Sequence, residues 1–148
     1  MTVSRPEPRG YPGNLGSLFA AHAREPRAAI IDLLDPARPR PVSFRELDEM
    51  CDAVARGLAR AGIGIGDRIG ILSRNRIEFV AALLGGMRAG VVPVPINIKL
   101  DANAIAFILK DAAVRLLFAE PALRRLCPAG SRIVEFGGAG GDAFERFV

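Results

Sequence analysis

Two stretches of this chain combine residue types and spacing that suit ligand binding. Ser73-Arg74-Asn75 follows the apolar run Arg68 to Leu72, and polar residues after a parallel strand lie where α/β sheets bind ligands. Residues 137–141, Gly-Gly-Ala-Gly-Gly, lie between a predicted strand and a predicted helix, where backbone N–H groups can hold phosphate. Both stretches have a local alternative. Ser73 or Asn75 could instead cap the next helix beside a solvated Arg74, and the glycine run, which lacks the Lys-Ser/Thr of a P-loop, could be a flexible turn.

No arrangement of side chains in the sequence predicts a catalytic residue or a metal site. His22 is the only histidine, and no motif pairs it with a Ser or Cys nucleophile. Cys51 and Cys127 are isolated in apolar patterns, without the spacing of a zinc site or a redox pair. We therefore expect two reduced core thiols in a cytoplasmic protein.

The composition is that of one globular domain and excludes several functions. Half of the 148 residues are hydrophobic and 24% are charged, so the chain can bury a core. Eighteen of the twenty basic residues are arginines, but they are scattered among acidic residues, so we expect no nucleic-acid binding. Residues 77–96 resemble a membrane span, but Glu78, Arg88 and two prolines interrupt them, so we expect no span. Residues 1–14 are expected to form a flexible arm ahead of a domain over residues 15–148.

The beginning of this domain predicts a helix and a β-hairpin. Apolar residues at helical spacing over 15–22 predict a short amphipathic helix that Pro26 ends. Residues 28–34 and 40–43 are strand-like on either side of an Asp-Pro-Ala-Arg-Pro turn, which predicts a hairpin.

The helix with the strongest sequence signals follows the hairpin directly. Ser43 and Glu46 form a Ser-x-x-Glu capping box, and Val42 and Leu47 are spaced as its hydrophobic staple. An apolar face then recurs until Gly62, a residue typical of the position just after a helix.

From Asp67 to Ala119 the chain alternates strand, helix, strand, helix and strand, an order that predicts a parallel sheet. The predicted strands are residues 68–72, 91–96, 114–119 and, further on, 132–136. A helix over residues 76–89 and a second helix capped by Asp101 connect the first three strands. Pro93 and Pro95 each remove a ladder donor, which places the second strand at an edge or a bulge. The predicted fold class is α/β: a mostly parallel sheet with flanking helices and a small N-terminal β-hairpin.

The order of these motifs resembles the N-terminal subdomain of the adenylate-forming enzymes, which include acyl-CoA synthetases, aryl-CoA ligases, luciferases and peptide-synthetase adenylation domains. The resemblance covers about residues 15–119 and is carried by these stretches: Val42-Ser43-Phe44-Arg45-Glu46-Leu47, Gly66-Asp67-Arg68-Ile69-Gly70-Ile71-Leu72, Asn75, Phe79 and Gly90-Val91-Val92-Pro93-Val94-Pro95-Ile96-Asn97. It implies the opening portion of an acyl-CoA synthetase-like fold. It also implies a parent reaction in which a carboxylate attacks ATP and the acyl group then passes to a thiol, usually coenzyme A, with Mg²⁺ present.

The signatures that perform this reaction in the resembled family are absent from these 148 residues. The chain lacks the phosphate loop ending in Pro-Lys-Gly, the aromatic-Gly-x-Thr-Glu run, the Thr-Gly-Asp and the catalytic lysine. We therefore expect this chain alone to bind none of the parent cofactors and to be inactive, because phosphoryl chemistry depends on positioned charges.

The resemblance leaves two readings of Lys99 and two of the whole chain. Lys99 follows the second strand, where some CoA ligases of this family carry a basic residue near the phosphates of coenzyme A; it could equally be an exposed loop lysine. The chain is expected to be the N-terminal fragment of a ligase, with the remainder of that ligase, or self-association through exposed sheet edges, as its partner. The alternative is a stand-alone α/β module that acts in binding or assembly without catalysis.

Overall fold

The computed structural model describes residues 13–137 and 143–148 and has an α/β architecture. Its strands are β1 (Ala28–Asp32), β2 (Arg40–Ser43), β3 (Arg68–Leu72), β4 (Val92–Pro95), β5 (Leu116–Ala119) and β6 (Ile133–Glu135). Its α-helices are α1 (Phe44–Arg60), α2 (Ile77–Arg88), α3 (Ala102–Asp111) and α4 (Phe144–Phe147). Three 3₁₀ helices cover Leu15–Ser17, Ala20–His22 and Pro121–Leu126.

Four of the strands form one parallel sheet in the order β4-β3-β5-β6. The chain enters the sheet at β3, passes through α2 to β4 on one side, and then crosses by α3 to β5 on the other side. This reversal makes the gap between β3 and β5 the topological switch point, the place where doubly wound sheets bind ligands. The separate hairpin pairs β1 with β2 antiparallel. The predicted α/β fold class is confirmed.

Helices cover both faces of the sheet, so the four strands are apolar on both sides. One face packs against α1, α2 and α4 in a cluster that includes Val54, Leu58, Ala81, Phe118 and Phe144. The other face packs mainly against α3, through Ile105 and its neighbours. The resulting three layers fix the carboxyl ends of the strands relative to one another.

The local signals for α1 are confirmed in detail. The Ser43 hydroxyl accepts a hydrogen bond from the Glu46 amide, and the Glu46 carboxylate accepts one from the Ser43 amide at 2.8 Å. Val42 and Leu47 are both buried in one apolar cluster, as the staple requires. Gly62 follows the helix with φ +73°, a conformation that glycine adopts without strain.

Strand β4 lies at an edge of the sheet, which is one of the two alternatives that its prolines predicted. The amides of Val92 and Ile96 donate to β3, to the carbonyls of Asp67 and Ile71. Residues of a strand alternate in the side to which their backbone groups point. Pro93 and Pro95 therefore occupy the outward positions, where their missing N–H groups leave no buried donor unpaired.

The amphipathic helix predicted over residues 15–22 is wrong, because two short 3₁₀ helices occupy this stretch. Asn14 caps the first of them by accepting from the Gly16 amide, and it donates to the Met87 carbonyl at 2.9 Å. Gly16 lies so close to α2 that a Cβ built on it would meet the Arg88 amide at 2.2 Å. Because of this close approach, the segment packs against the end of α2. It forms two short 3₁₀ helices instead of the continuous helix that the apolar spacing suggested.

Two sequence predictions fall largely outside the described residues. The arm over residues 1–14 is described only for Gly13 and Asn14. The glycine run is described only at Gly137, which has φ +71°. The helix predicted after the glycine run begins at Phe144. Over the described ranges, no helix has the length and apolar character to cross a membrane.

Candidate functional site at the carboxyl edge of the sheet

An open depression of about 620 Å³ lies at the carboxyl edge of the sheet, beyond the ends of β3 and β4. It is lined by Ser73, Arg74, Asn75, Phe79, Pro95, Ile96, Asn97 and Ile98. The register Ile71 to Pro95 brings the two strand ends level, so the loops that follow them face each other. We call this depression the carboxyl-edge crevice. The three residues that the sequence singled out after β3 all line it.

One wall of the crevice is held by a buried carboxylate, that of Glu120. Glu120 follows β5, next to the end of β3, and its amide donates to the Leu72 carbonyl at 3.2 Å. Its Oε1 accepts from the Ser73 hydroxyl at 2.9 Å and from the Arg74 amide at 2.6 Å. Its Oε2 accepts from Nε and Nη2 of Arg74 at 3.1 and 2.9 Å. The network therefore spans the switch point between β3 and β5.

The charges of this network balance each other. Glu120 is only 4% exposed and Ser73 only 7%, whereas the Arg74 side chain is 63% exposed. Burial by itself would raise the pKa of Glu120, but the hydrogen bonds from Arg74 and Ser73 outweigh it and hold that pKa below its usual value. Glu120 is therefore an anion at neutral pH, and Arg74 serves as its counter-ion.

The opposite wall is the loop that follows β4. The Asn97 side-chain oxygen accepts from the Lys99 amide at 2.9 Å, which turns the chain. Lys99 is exposed and lies two residues beyond the lining residue Asn97, but it does not line the crevice itself. Among residues 13–137 and 143–148, the Asn75 amide group has no hydrogen-bond partner. The crevice thus presents the Asn75 amide, with a lysine on the neighbouring loop.

The structure corrects the local reading of Ser73, Arg74 and Asn75. The N-cap of α2 is Arg76, and no side chain caps this helix. Ser73 lies three residues before this N-cap and its hydroxyl donates to Glu120, and Arg74 is not merely solvated because it pairs with the same carboxylate. Asn75 precedes the N-cap and faces the crevice. Whether any of these residues binds a ligand stays a prediction.

Sequence reasoning missed Glu120. Its partners are 46 and 47 residues away, so no local spacing reveals them. The available signal was a carboxylate directly after a fully apolar strand, because a charge is rarely placed at such an end unless it is paired.

A second ion pair lies beside the crevice at the start of α2. The Arg76 guanidinium donates to both oxygens of Glu78 at 2.7 and 2.8 Å, and it lies 5.6 Å above the Phe136 ring. The hydrogen bond that Arg76 donates to Glu78 raises the pKa of Arg76. The charges of Arg76 and Glu78 neutralise each other inside the fold. This pair therefore stabilises the loop and leaves no unpaired cation for a ligand.

The cysteines and acidic residues provide no further chemistry. Both cysteines are free, and burial raises the pKa of Cys51 to about 11 and raises that of Cys127. Thiols with raised pKa values are poor nucleophiles at neutral pH. Within the described part of the chain, no cluster of three or more His, Cys, Asp or Glu side chains could hold a metal ion.

A doubly wound parallel sheet with a crevice at its carboxyl edge is a class of α/β domain in which ligands, nucleotides among them, bind beyond the carboxyl ends of the strands. Within that class, the sequence model of the AMP-binding enzymes matches residues 19–137, and the chain belongs to this family.

Comparisons with individual proteins agree with this membership. The chain is 37% identical over 79 residues to a 3-hydroxybenzoate--CoA/4-hydroxybenzoate--CoA ligase of Thauera aromatica, covering 53% of the chain and 15% of that ligase. Its fold is similar to the Brucella canis acyl-CoA synthetase, with a TM-score of 0.78, 25% identity and coverage of 90% of this chain and 26% of that one. It is also similar to the N-terminal domain of FACL13 from Mycobacterium tuberculosis, with a TM-score of 0.70, 27% identity and coverage of 76% and 29%. The chain therefore aligns with the N-terminal domain of acyl-CoA and aryl-CoA ligases and spans about 15% of the length of the first of these relatives.

Proposed function

We propose that this chain is the N-terminal portion of an acid–thiol ligase that activates a carboxylic acid with ATP and transfers the acyl group to coenzyme A. The observation that carries the proposal is the family match over residues 19–137, combined with a crevice at the carboxyl edge of the sheet, beyond the ends of β3 and β4. In this proposal the chain contributes one sheet and one wall of the acyl and coenzyme A site. Its own residues bind and orient, and none of them is catalytic.

The polar groups in and beside the crevice support a phosphate-bearing ligand. Asn75 offers a free amide, and Lys99 offers an exposed cation on the facing loop. Arg74 adds no net charge because Glu120 neutralises it. We propose that Lys99 contacts a phosphate of coenzyme A, and that ATP and Mg²⁺ are held by segments outside these 148 residues.

Replacing Lys99 by Gln in the full-length ligase tests this contact. We expect the KM for coenzyme A to rise roughly two- to fivefold, since an exposed ion pair is worth up to about 1 kcal/mol. The KM for ATP should stay constant. Lys110→Gln is the matched control, because Lys110 is an exposed lysine near the C-terminus of α3, away from the crevice. An equal KM for coenzyme A in the Lys99 variant, the Lys110 variant and the wild type would refute the contact.

We further propose that the 148-residue chain alone does not adenylate a carboxylic acid. The Pro-Lys-Gly phosphate loop and the catalytic lysine of the family are not in its sequence. The purified chain, incubated with ATP, Mg²⁺ and a panel of aryl and fatty acids, should release no pyrophosphate above the no-enzyme background. The full-length ligase under the same conditions is the positive control, and pyrophosphate release by the short chain would overturn the proposal.

The exposed apolar side chains favour the remainder of the ligase as the partner of this chain. Ile65 is 91% exposed and Phe107 on α3 is 68% exposed, and Val92 adds apolar surface at the free edge. Large exposed apolar groups mark interaction surfaces. Light scattering after size exclusion distinguishes the alternatives: a ligase portion should self-associate when it is separated from its partner, whereas a stand-alone module should be monodisperse. A cytoplasmic location is part of the proposal, in keeping with two free thiols.

A further inference from the structure

The buried carboxylate of Glu120 is placed to control the geometry of the crevice without touching a ligand. It is 4% exposed, it lies behind the loop 73–75, and it does not line the depression. Its hydrogen bonds reach the backbone of Arg74 as well as two side chains. A carboxylate bonded in this way fixes both the path of the loop and the rotamer of Arg74.

Asn75 follows Arg74, and this network restrains its backbone. Asn75 lies between the amide that Glu120 holds and Arg76, the extended N-cap of α2. Its backbone is therefore restrained on both sides. Within the described ranges its side-chain amide bonds to no protein group, although it lines the crevice. An exposed amide on a restrained backbone, with no protein group bonded to it, can bind a ligand at a lower entropic cost than one on a mobile loop.

We propose that Glu120 is a positioning residue, which holds the loop 73–75 so that the Asn75 side-chain amide meets the ligand in the carboxyl-edge crevice. The proposal rests on the proposed function for the identity of the ligand, coenzyme A. The placement of Asn75 by Glu120 does not depend on that identity. The two parts can therefore be tested separately.

The placement is tested by nuclear magnetic resonance on the 148-residue chain, diluted until light scattering shows a monomer. In the wild type, ¹⁵N relaxation should give the backbone amides of Arg74 and Asn75 order parameters of about 0.85, as in rigid backbone. In Glu120→Gln these values should fall towards 0.6, because the amide side chain cannot match both the charge and the acceptor pattern of the carboxylate. Glu49→Gln is the control, since Glu49 is an exposed residue of α1 with no ion-pair partner in the described structure. Unchanged order in Glu120→Gln would overturn the proposal.

The action through Asn75 is tested by a double-mutant cycle in the full-length ligase. Asn75→Ala and Glu120→Gln should each raise the KM for coenzyme A roughly three- to tenfold, the effect of one lost hydrogen bond, with a smaller change in kcat. In the Asn75→Ala background, Glu120→Gln should have almost no further effect on this KM. A purely structural Glu120 would instead give additive effects on the KM, whatever its effect on stability, and additivity would overturn the proposal.

A further variant covers the case in which Glu120→Gln does not fold. Ser73→Ala removes one donor to the carboxylate but keeps the ion pair, and it should raise the same KM in the same direction by a smaller factor. No change in that KM would count against the proposal. Absence of acyl-CoA formation by the untouched full-length ligase would defeat the proposed function alone, and the relaxation experiment would then decide the placement.

Discussion

The two ends of the same parallel sheet use their charged residues differently. At the amino end, Arg68 donates to the Ala112, Ala113 and Gly66 carbonyls at 2.6, 3.2 and 3.1 Å. At the carboxyl end, Arg74 is paired with a buried carboxylate, while the neighbouring amide of Asn75 and the side chain of Lys99 remain free among the described residues. The amino end uses polar side chains to bond backbone carbonyls, whereas the carboxyl end leaves some polar side chains without a protein partner among the described residues.

Helix geometry explains the difference. The α-helices of the sheet run back from its carboxyl end to its amino end, so their last carbonyls collect at the amino end and attract cations there. Arg132, for example, donates to the Ala61 carbonyl just after α1 at 2.8 Å, and Arg115 pairs with Asp67. Some of the arginines therefore serve the ends of helices, as Arg68 and Arg132 do.

The largest loss of unfolding free energy is expected for a change in the scaffold that both ends of the sheet share. A Cβ on Gly85 in α2 would meet the Cys51 carbonyl and the Val54 Cβ, both at 2.7 Å, so Gly85→Ala forces α1 and α2 apart. We expect a loss of about 3 kcal/mol of unfolding free energy, near the top of the range for overpacking. Denaturant titration measures it. Gly64→Ala is the control, because nothing lies within 4 Å of its Cβ position, and a comparable loss there would contradict the packing argument.

The next largest loss of unfolding free energy is expected at the carboxyl end of the sheet, and this loss should depend on pH. The pKa of Glu120 in the folded chain lies below its ordinary value of 4.5. Its stabilisation is therefore present above pH 4.5 and is lost as the pH falls through the lowered folded pKa. At pH 7, Glu120→Gln should cost roughly 2 kcal/mol, since it weakens hydrogen bonds to a charged group. The gap in unfolding free energy between the two proteins should narrow steadily below pH 4.5, and a pH-independent gap would rule out the ionic network as its cause.

A smaller effect on stability, with no effect on ligand affinity, is expected at the amino end. Arg68→Ala removes the donors to the carbonyls at the end of α3 and should cost about 1 kcal/mol. The KM values of the full-length ligase should not change, because Arg68 lies at the opposite end of the sheet from the crevice. Arg45→Ala serves as the control, since Arg45 is exposed on α1 and has no such partner in the described structure. A raised KM in Arg68→Ala would break the separation of the two ends.

The smallest effect on stability is expected for Lys99→Gln. The lysine is exposed, so the free energy of unfolding should change by less than about 0.5 kcal/mol. Chemical denaturation of the 148-residue chain measures this. A clear loss of stability would mean that Lys99 is part of the scaffold and would weaken its assignment to a ligand.

The contrast between local and non-local signals explains how much the sequence could predict. The bounds of β3, the capping box of Ser43 and the cap of Asp101 depend on residues within a few positions of one another, and all three are confirmed. The role of Ser73 depends on Glu120, which becomes its neighbour only after α2, β4 and α3 have placed β5 beside β3. The two 3₁₀ helices near the N-terminus likewise depend on the approach of Gly16 to α2. The parts of the candidate site that sequence analysis missed are therefore those that form only when the strands take their order in the sheet.

The free edge of the sheet has a consequence for behaviour in concentrated solution. An edge strand normally offers a row of donors and acceptors on which another chain can build cross-β stacks. At β4 the two outward positions within the strand are prolines, Pro93 and Pro95, which offer carbonyls but no amides. An added strand could not complete its ladder there. Growth of ordered fibrils from this edge is therefore blocked, and contact with other chains is left to side-chain surfaces such as those around Ile65 and Phe107.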